Sequence, residues 1–292
     1  MRRLRLVPDD TRIHFMRYQY VGYALSATLI LLTVFLLPIK GLNFGIDFQG
    51  GILVEVGVPG EAADLAAMRA TLGELGLGEV ALQEFGAPTD VLIRVQRQEG
   101  GEEAQLAAVD KVRAALTEEF GEEVSYRRVE FVGPKVSSEL LWGSTQAVVY
   151  SILAILVYIW FRFEWQFGVG AVATLVLDVT KTIGFFVITG LQFNLVSVAA
   201  ILTIMGYSIN DKVVVYDRVR ENLRKYKRME LDALLDLSIN QTLSRTILTG
   251  CTAIAVLLAL YIFGGEVIRN FNLAMLLGVL IGTYSSMFIG AP

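Results

Sequence analysis

The stretch Leu140–Phe161 reads LLWGSTQAVVYSILAILVYIWF and carries no charged side chain. A hydrocarbon core about 30 Å thick is crossed by roughly 20 predominantly apolar residues in a helix. Inside lipid every backbone N–H and C=O must be bonded within the segment, which leaves the helix as the form such a run takes. The stretch is therefore expected to span a membrane. Working outward, one such run precedes it, over 20–38. Four follow, from about Phe167 to Ile188, Asn194 to Tyr216, Leu243 to Phe263 and Phe271 to Ile289. The reading is a six-span helical membrane protein, with one span near the N-terminus and a five-helix region over 140–290. The composition agrees. Only 18% of residues are charged, against about a quarter in soluble domains, and the mean hydropathy is +0.55.

The segment 43–135 is different in kind, rich in Glu and Gly like a soluble domain. Gly51 to Val58 reads as a strand and Glu61 to Leu75 as a helix. Strands are expected at Val80 to Phe85 and Val91 to Gln96, separated by the turn formers of Gly86 to Asp90. A second helix is expected from Glu102 to Glu119 and a last strand from Val124 to Val132. The order β-α-β-β-α-β specifies an α+β, ferredoxin-like domain between the first two spans.

Basic residues set the expected orientation, because short cytoplasmic loops carry the excess of Lys and Arg. The N-terminal segment, 1–19, holds Arg2, Arg3, Arg5, Arg12 and Arg17. The link after the second span holds Arg162, and the link after the fourth holds Arg218, Arg220, Arg224, Lys225, Lys227 and Arg228. The opposite short links carry only Arg269. With six crossings every basic cluster falls on one side, so both ends are expected in the cytoplasm and the 43–135 domain outside it. The first apolar run is span-length and lacks an Ala-x-Ala site, so it reads as a retained anchor rather than a cleaved signal.

Several classes of function are excluded. The net charge is −4, which gives no footprint for nucleic acid. His14 and Cys251 are the only residues of their types, so no zinc site of several His and Cys can form and no internal disulfide is available. Cys251 is expected to be a small buried hydrophobe. No nucleophile–base pair or phosphate loop is visible, so the chain is not expected to be an enzyme or to hold a cofactor.

Ionisable residues at membrane depth cost several kcal/mol on insertion scales and call for a reason. Asp178 lies mid-span, three residues before Lys181, so the two can meet on one helix face. Asp211 lies 17 residues after Asn194, about 25 Å along a helix, in the inner part of the bilayer. Beside it Lys212 is expected to snorkel toward the headgroups. Arg245 opens the fifth apolar run at similar depth, where it can face Asp211. A carboxylate that takes up and releases protons near an arginine is a common relay device; a fixed ion pair that only aids assembly is the other reading. Asp217, Arg218, Arg220, Glu221 and Asn222 read as a solvated loop after the fourth span.

Three of these stretches resemble a known family. Gly45-Ile46-Asp47-Phe48-Gln49-Gly50-Gly51 resembles the G-[IV]-D-F-x-G-G signature of SecD and SecF. Gly206–Asn222, GYSINDKVVVYDRVREN, is similar to the SecF fourth-helix motif, and Ser238–Thr249, SINQTLSRTILT, to the start of its fifth helix, arginine included. The resemblance implies a subunit of the bacterial SecDF complex, within the resistance-nodulation-division superfamily, in the inner membrane. It implies SecD, SecYEG and YajC as partners, with preproteins and membrane lipids. It further implies that the proton-motive force, or a sodium gradient in its place, drives late-stage export. Asp211, Arg245 and Asp178 would serve proton passage, and Asp47, Gly45, Gly50 and Gly51 a hinge or turn. Lys212 stands where the family often has a small or hydroxyl residue. The rival readings are a non-energetic scaffold for SecD or the channel, and half of a small-molecule or lipid exporter.

Overall fold

The computed structural model describes Pro8 and residues 11–265 and 268–291. Arg2, Arg3 and Arg5 lie outside the described residues, as do residues 266–267 of the last link. After a short 3₁₀ turn, α1 (Gln19–Lys40) leads to a one-turn helix α2 (Ile46–Gln49). The elements β1 (Gly51–Gly57), α3 (Leu65–Gly73), β2 (Val80–Phe85), β3 (Ala87–Val95), α4 (Gly101–Phe120) and β4 (Ser125–Val132) follow. The chain then runs through α5 (Pro134–Arg162), α6 (Trp165–Thr189), α7 (Leu195–Lys225), α8 (Leu231–Phe263) and α9 (Arg269–Phe288). The segment containing α1, together with α5 to α9, makes six helices long and apolar enough to cross a membrane. The chain divides into two compact units, Phe44–Thr145 and the remainder.

The smaller unit is a four-stranded antiparallel sheet of order β2-β3-β1-β4. With its β-α-β-β-α-β order this is the ferredoxin-like arrangement. Successive strand residues face opposite sides. Ile52, Val54 and Val56 join Ile93, Val112 and Leu116 in one core, while Leu53 and Leu92 pack with Ile46 on the other face. Asp64 caps α3, accepting from the amides of Ala66 and Ala67 at 3.0 Å, which satisfies two of the donors a helix start leaves open.

Several boundaries depart from the sequence reading, these three among them. The turn expected over Gly86 to Asp90 shrinks to Gly86, at φ +87°; Ala87 to Asp90 belong to β3, and beyond the end of β2 the carbonyls of Pro88 and Thr89 accept from Ala63 and Val58. Second, α8 starts at Leu231, well before its apolar run. Third, Asp217 to Lys225 are not a loop but the last turns of α7. Arg, Glu, Leu and Lys are good helix formers, and Arg218 pairs with Glu221 at 2.8 Å across one turn. Hydropathy marks where a helix leaves the hydrocarbon, not where it ends.

In the larger unit about half of the most apolar window of α6, α7 and α9 is buried, against 17% for α1 and α8 and none for α5. Without water to expel, helices associate by close packing, which small residues allow. A Cβ placed on Gly278 of α9 would collide with Ile204 of α7, and one on Gly282 would lie 3.3 Å from Ser208. Gly184 of α6 meets Thr33 of α1 in the same way. At one end of the bundle Phe15 and Met16 share a cluster with Val219, Leu234, Leu235 and Met287. The start of α1, the end of α7, the start of α8 and the end of α9 therefore lie together. At the other end Lys40 donates to the Ile188 carbonyl and Asn43 to that of Gly190, both at 2.8 Å.

Candidate functional site

Asp178 occupies the middle of α6 and is fully buried. Helical spacing brings Lys181, three residues on, to 3.0 Å from its Oδ1. On α7, Ser208 and Lys212 are one turn apart and share a face. Both reach the other carboxylate oxygen, Lys212 Nζ at 2.7 Å and Ser208 Oγ at 2.8 Å. Lys212 also donates to Ser208 at 2.5 Å. Lys212 therefore does not snorkel toward the headgroups. It is 0% exposed, because the glycine face of α9 draws α7 inward and Asp178 offers a nearer counter-charge. A carbon built on Gly290 would lie 3.5 Å from its Cε.

Two buried ammoniums thus share one carboxylate. Such a group is tolerated only where another negative charge is near, since burying an unpaired ion costs several kcal/mol. The next carboxyl group along the chain is that of Asp211, the residue before Lys212. Asp211 is 3% exposed, and the cations whose fields reach it are Arg245 and Lys212. Its Oδ2 is buried and no protein donor reaches it, in contrast to the carboxylate of Asp178, which accepts from three protein donors. One turn earlier on the same helix face lies the buried hydroxyl of Tyr207, close to Thr283 Oγ1 of α9. Both would lie 3.6 Å from a carbon built on Gly250 of α8. Buried polar atoms are nearly always bonded, and the hydroxyls of Tyr207 and Thr283 meet beside Gly250 at the α7–α8–α9 junction.

Asp211 and Arg245 do not form an ion pair within the chain: Arg245 is exposed on the outer face of α8, with Gln241, Ser244 and Thr252. Cys251 is exposed on that helix too, not buried as its apolar run suggested. An apolar run shows depth along a helix but not which face turns inward. In the glycine signature, Gly45 precedes α2, and Asp47 lies in its single turn. Gly50 and Gly51 enter β1 at φ +73° and +121°. A Cβ on Gly51 would lie 2.7 Å from the Val95 carbonyl, so these two positions need glycine for both conformation and space. The charged end of α7 joins neighbours: Asp217 accepts from Arg162 of α5 at 3.0 Å. Asn222 donates to Ser238 and Gln241 of α8, both at 2.9 Å. The part of the site that the sequence reading missed is the triangle of Asp178, Ser208 and Lys212. Its signal was present in the one-turn spacing of Ser208 and Lys212, which gives a polar stripe on a span that already held Asp211.

The family model for the C-terminal region of the protein export membrane proteins SecD/SecF matches residues 112–292, and that for the SecD/SecF GG motif matches residues 35–58. Protein translocase subunit SecF of Rickettsia felis is 48% identical over 289 residues, covering 99% of this chain and 93% of the relative. Among solved structures, the crystal structure of SecDF, a translocon-associated membrane protein, from Thermus thermophilus superposes with a TM-score of 0.87 at 33% identity. That match covers 98% of the chain, which spans 38% of the SecDF chain. SecDF in a super-membrane-facing form superposes with a TM-score of 0.70 at 34% identity over 97% of the chain, which spans 38% of that SecDF chain.

Proposed function

The chain belongs to the SecD/SecF family of protein-export membrane proteins, on the SecF side, and from that premise we propose that it couples the proton-motive force to late-stage preprotein translocation. The observation that carries this reading is Asp211: a buried carboxylate at membrane depth with one oxygen open, beside a second carboxylate that is saturated. The saturated one, Asp178, anchors Lys181 and Lys212. The open one, Asp211, takes up and releases the proton. No bound cofactor is needed and no covalent chemistry takes place.

The outer face of α8 supports a partner of similar plan. An arginine facing lipid is costly, whereas one covered by a second membrane protein can meet an acid there. SecD is that partner in this reading, and Arg245 is the residue it covers. The channel SecYEG, with YajC, receives the work. One charge crossing about 100 mV is worth roughly 2.3 kcal/mol, several times thermal energy. That is enough to bias a helix rearrangement between forms such as those in which SecDF has been solved. The basic end of the bundle then faces the cytoplasm of the inner membrane, and the ferredoxin-like unit lies outside to hold the emerging chain.

The test is gradient-dependent completion of export in inverted vesicles, with SecD present and Asp211→Asn compared with wild type. Loss of the gradient-dependent part with the complex intact is expected. Unchanged export would leave Asp211 structural and favour the scaffold reading.

A further inference from the structure

Where α5 ends against α7, Arg162, Asp217, Arg220, Glu221, Arg224 and Lys225 line an open cleft of about 480 Å³. Its two carboxylates are already engaged, Asp217 by Arg162 at 3.0 Å and Glu221 by Arg218 at 2.8 Å. Arg220 donates from Nη1 to the Arg162 carbonyl at 3.3 Å, but its Nε is buried without an acceptor. Among the described residues, Arg220, Arg224 and Lys225 have no carboxylate within 4.0 Å. Arg220 and Arg224 are one turn apart, a like-charge spacing that destabilises a helix unless an anion lies between them. Beside the cleft Trp160, Phe161 and Trp165 are all more than 60% exposed, and such rings settle at headgroup level.

We propose that this cleft binds the phosphate of an anionic phospholipid, with Arg220, Arg224 and Lys225 as its ligands. The acyl chains lie along α5, whose Leu153, Val157 and Tyr158 are exposed. A basic pocket between helices at the membrane surface has the chemistry for such a headgroup. The lipid would also hold α5 in place. Little of α5 is buried, and its end meets α7 through Ile159, Phe163 and Tyr216 and through the Arg162 contacts. This binding does not depend on proton coupling.

The test uses the full chain purified in detergent. Retention of phosphatidylglycerol, phosphatidylcholine and inorganic phosphate is measured by native mass spectrometry. One phosphatidylglycerol should be retained where phosphatidylcholine is stripped. Removing three charges that act on one phosphate, in Arg220→Gln/Arg224→Gln/Lys225→Gln, should weaken retention about a hundredfold. Lys227→Gln/Arg228→Gln, on exposed residues outside the cleft, should leave it unchanged. If the triple variant unfolds, Arg224→Gln alone reads the same effect at about fivefold. Equal retention of the two lipids, or equal loss in both sets of variants, would overturn the proposal. So would displacement of the lipid by millimolar inorganic phosphate or by polyglutamate, which would make the occupant a free anion or an acidic protein segment.

Discussion

At the scale of single residues, the two buried carboxylates differ in what they are free to do. Asp178 accepts from three donors, so removing its charge strands two ammoniums. Breaking a buried pair by deleting one partner costs about 3–5 kcal/mol. Asp178→Asn should therefore lower the thermal midpoint of the purified chain steeply. Adding Lys212→Met, which removes one stranded charge and keeps an unbranched chain in the space, should recover part of the loss. A double variant no more stable than the single one would show that Lys212 is not held by Asp178. Arg245 lies at the opposite extreme. Exposed substitutions usually change stability by less than about 0.5 kcal/mol, so Arg245→Gln should leave the melt of the isolated chain unchanged. In vesicles with SecD it should remove gradient-dependent export; a variant that exports normally would take Arg245 out of the proposed mechanism.

At the scale of elements, glycine separates two kinds of constraint. Gly278 is held to its size by a side chain, Ile204, and Gly51 by backbone and conformation. Gly278→Ala should cost about 1–3 kcal/mol through overpacking. Ile204→Ala in the same chain should make the double variant less damaged than the sum of the two, by more than about 0.5 kcal/mol. Gly51→Ala should cost about 1–3 kcal/mol, and no neighbouring truncation should relieve it, because the obstruction is the Val95 carbonyl. Both cycles are read from thermal or denaturant melts. The types of the spans and of the elements of the sheet unit were legible in the sequence, since apolar runs and period-two strands are local signals, whereas α2 and the last turns of α7 were not. Boundaries were less so. The last turns of α7 are polar, and in a membrane protein polarity reports the water boundary rather than the end of hydrogen bonding.

At the scale of the whole molecule, the chain is two units with different solvents. The sheet unit has its own core, in which Ile52, Val54, Ile93, Val112 and Leu116 are fully buried. A fragment of residues 44–133 should fold alone in water and melt cooperatively by circular dichroism. Leu116→Ala should lower its stability by about 2–5 kcal/mol; a fragment without a cooperative melt would show that the unit depends on the bundle. The bundle itself leaves the outer faces of α1, α5 and α8 open, and only one of these, on α8, carries an arginine at membrane depth. In the proposed mechanism the chain alone should not pass protons at the rate of the paired complex in vesicles, and an equal rate would remove the need for a partner.

The sequence by itself determined the six spans, the inserted β-α-β-β-α-β unit, the family motifs and the pairing of Asp178 with Lys181. Each of these depends on composition or spacing within one segment. Only the tertiary structure decided that Lys212 turns inward to Asp178, that Asp211 keeps an open oxygen, and that Arg245 and Cys251 face outward. Those outcomes depend on which face of each helix meets its neighbours. Facing is set by glycines on α6 and α9 acting on other helices, a relation between segments that no single stretch of sequence contains.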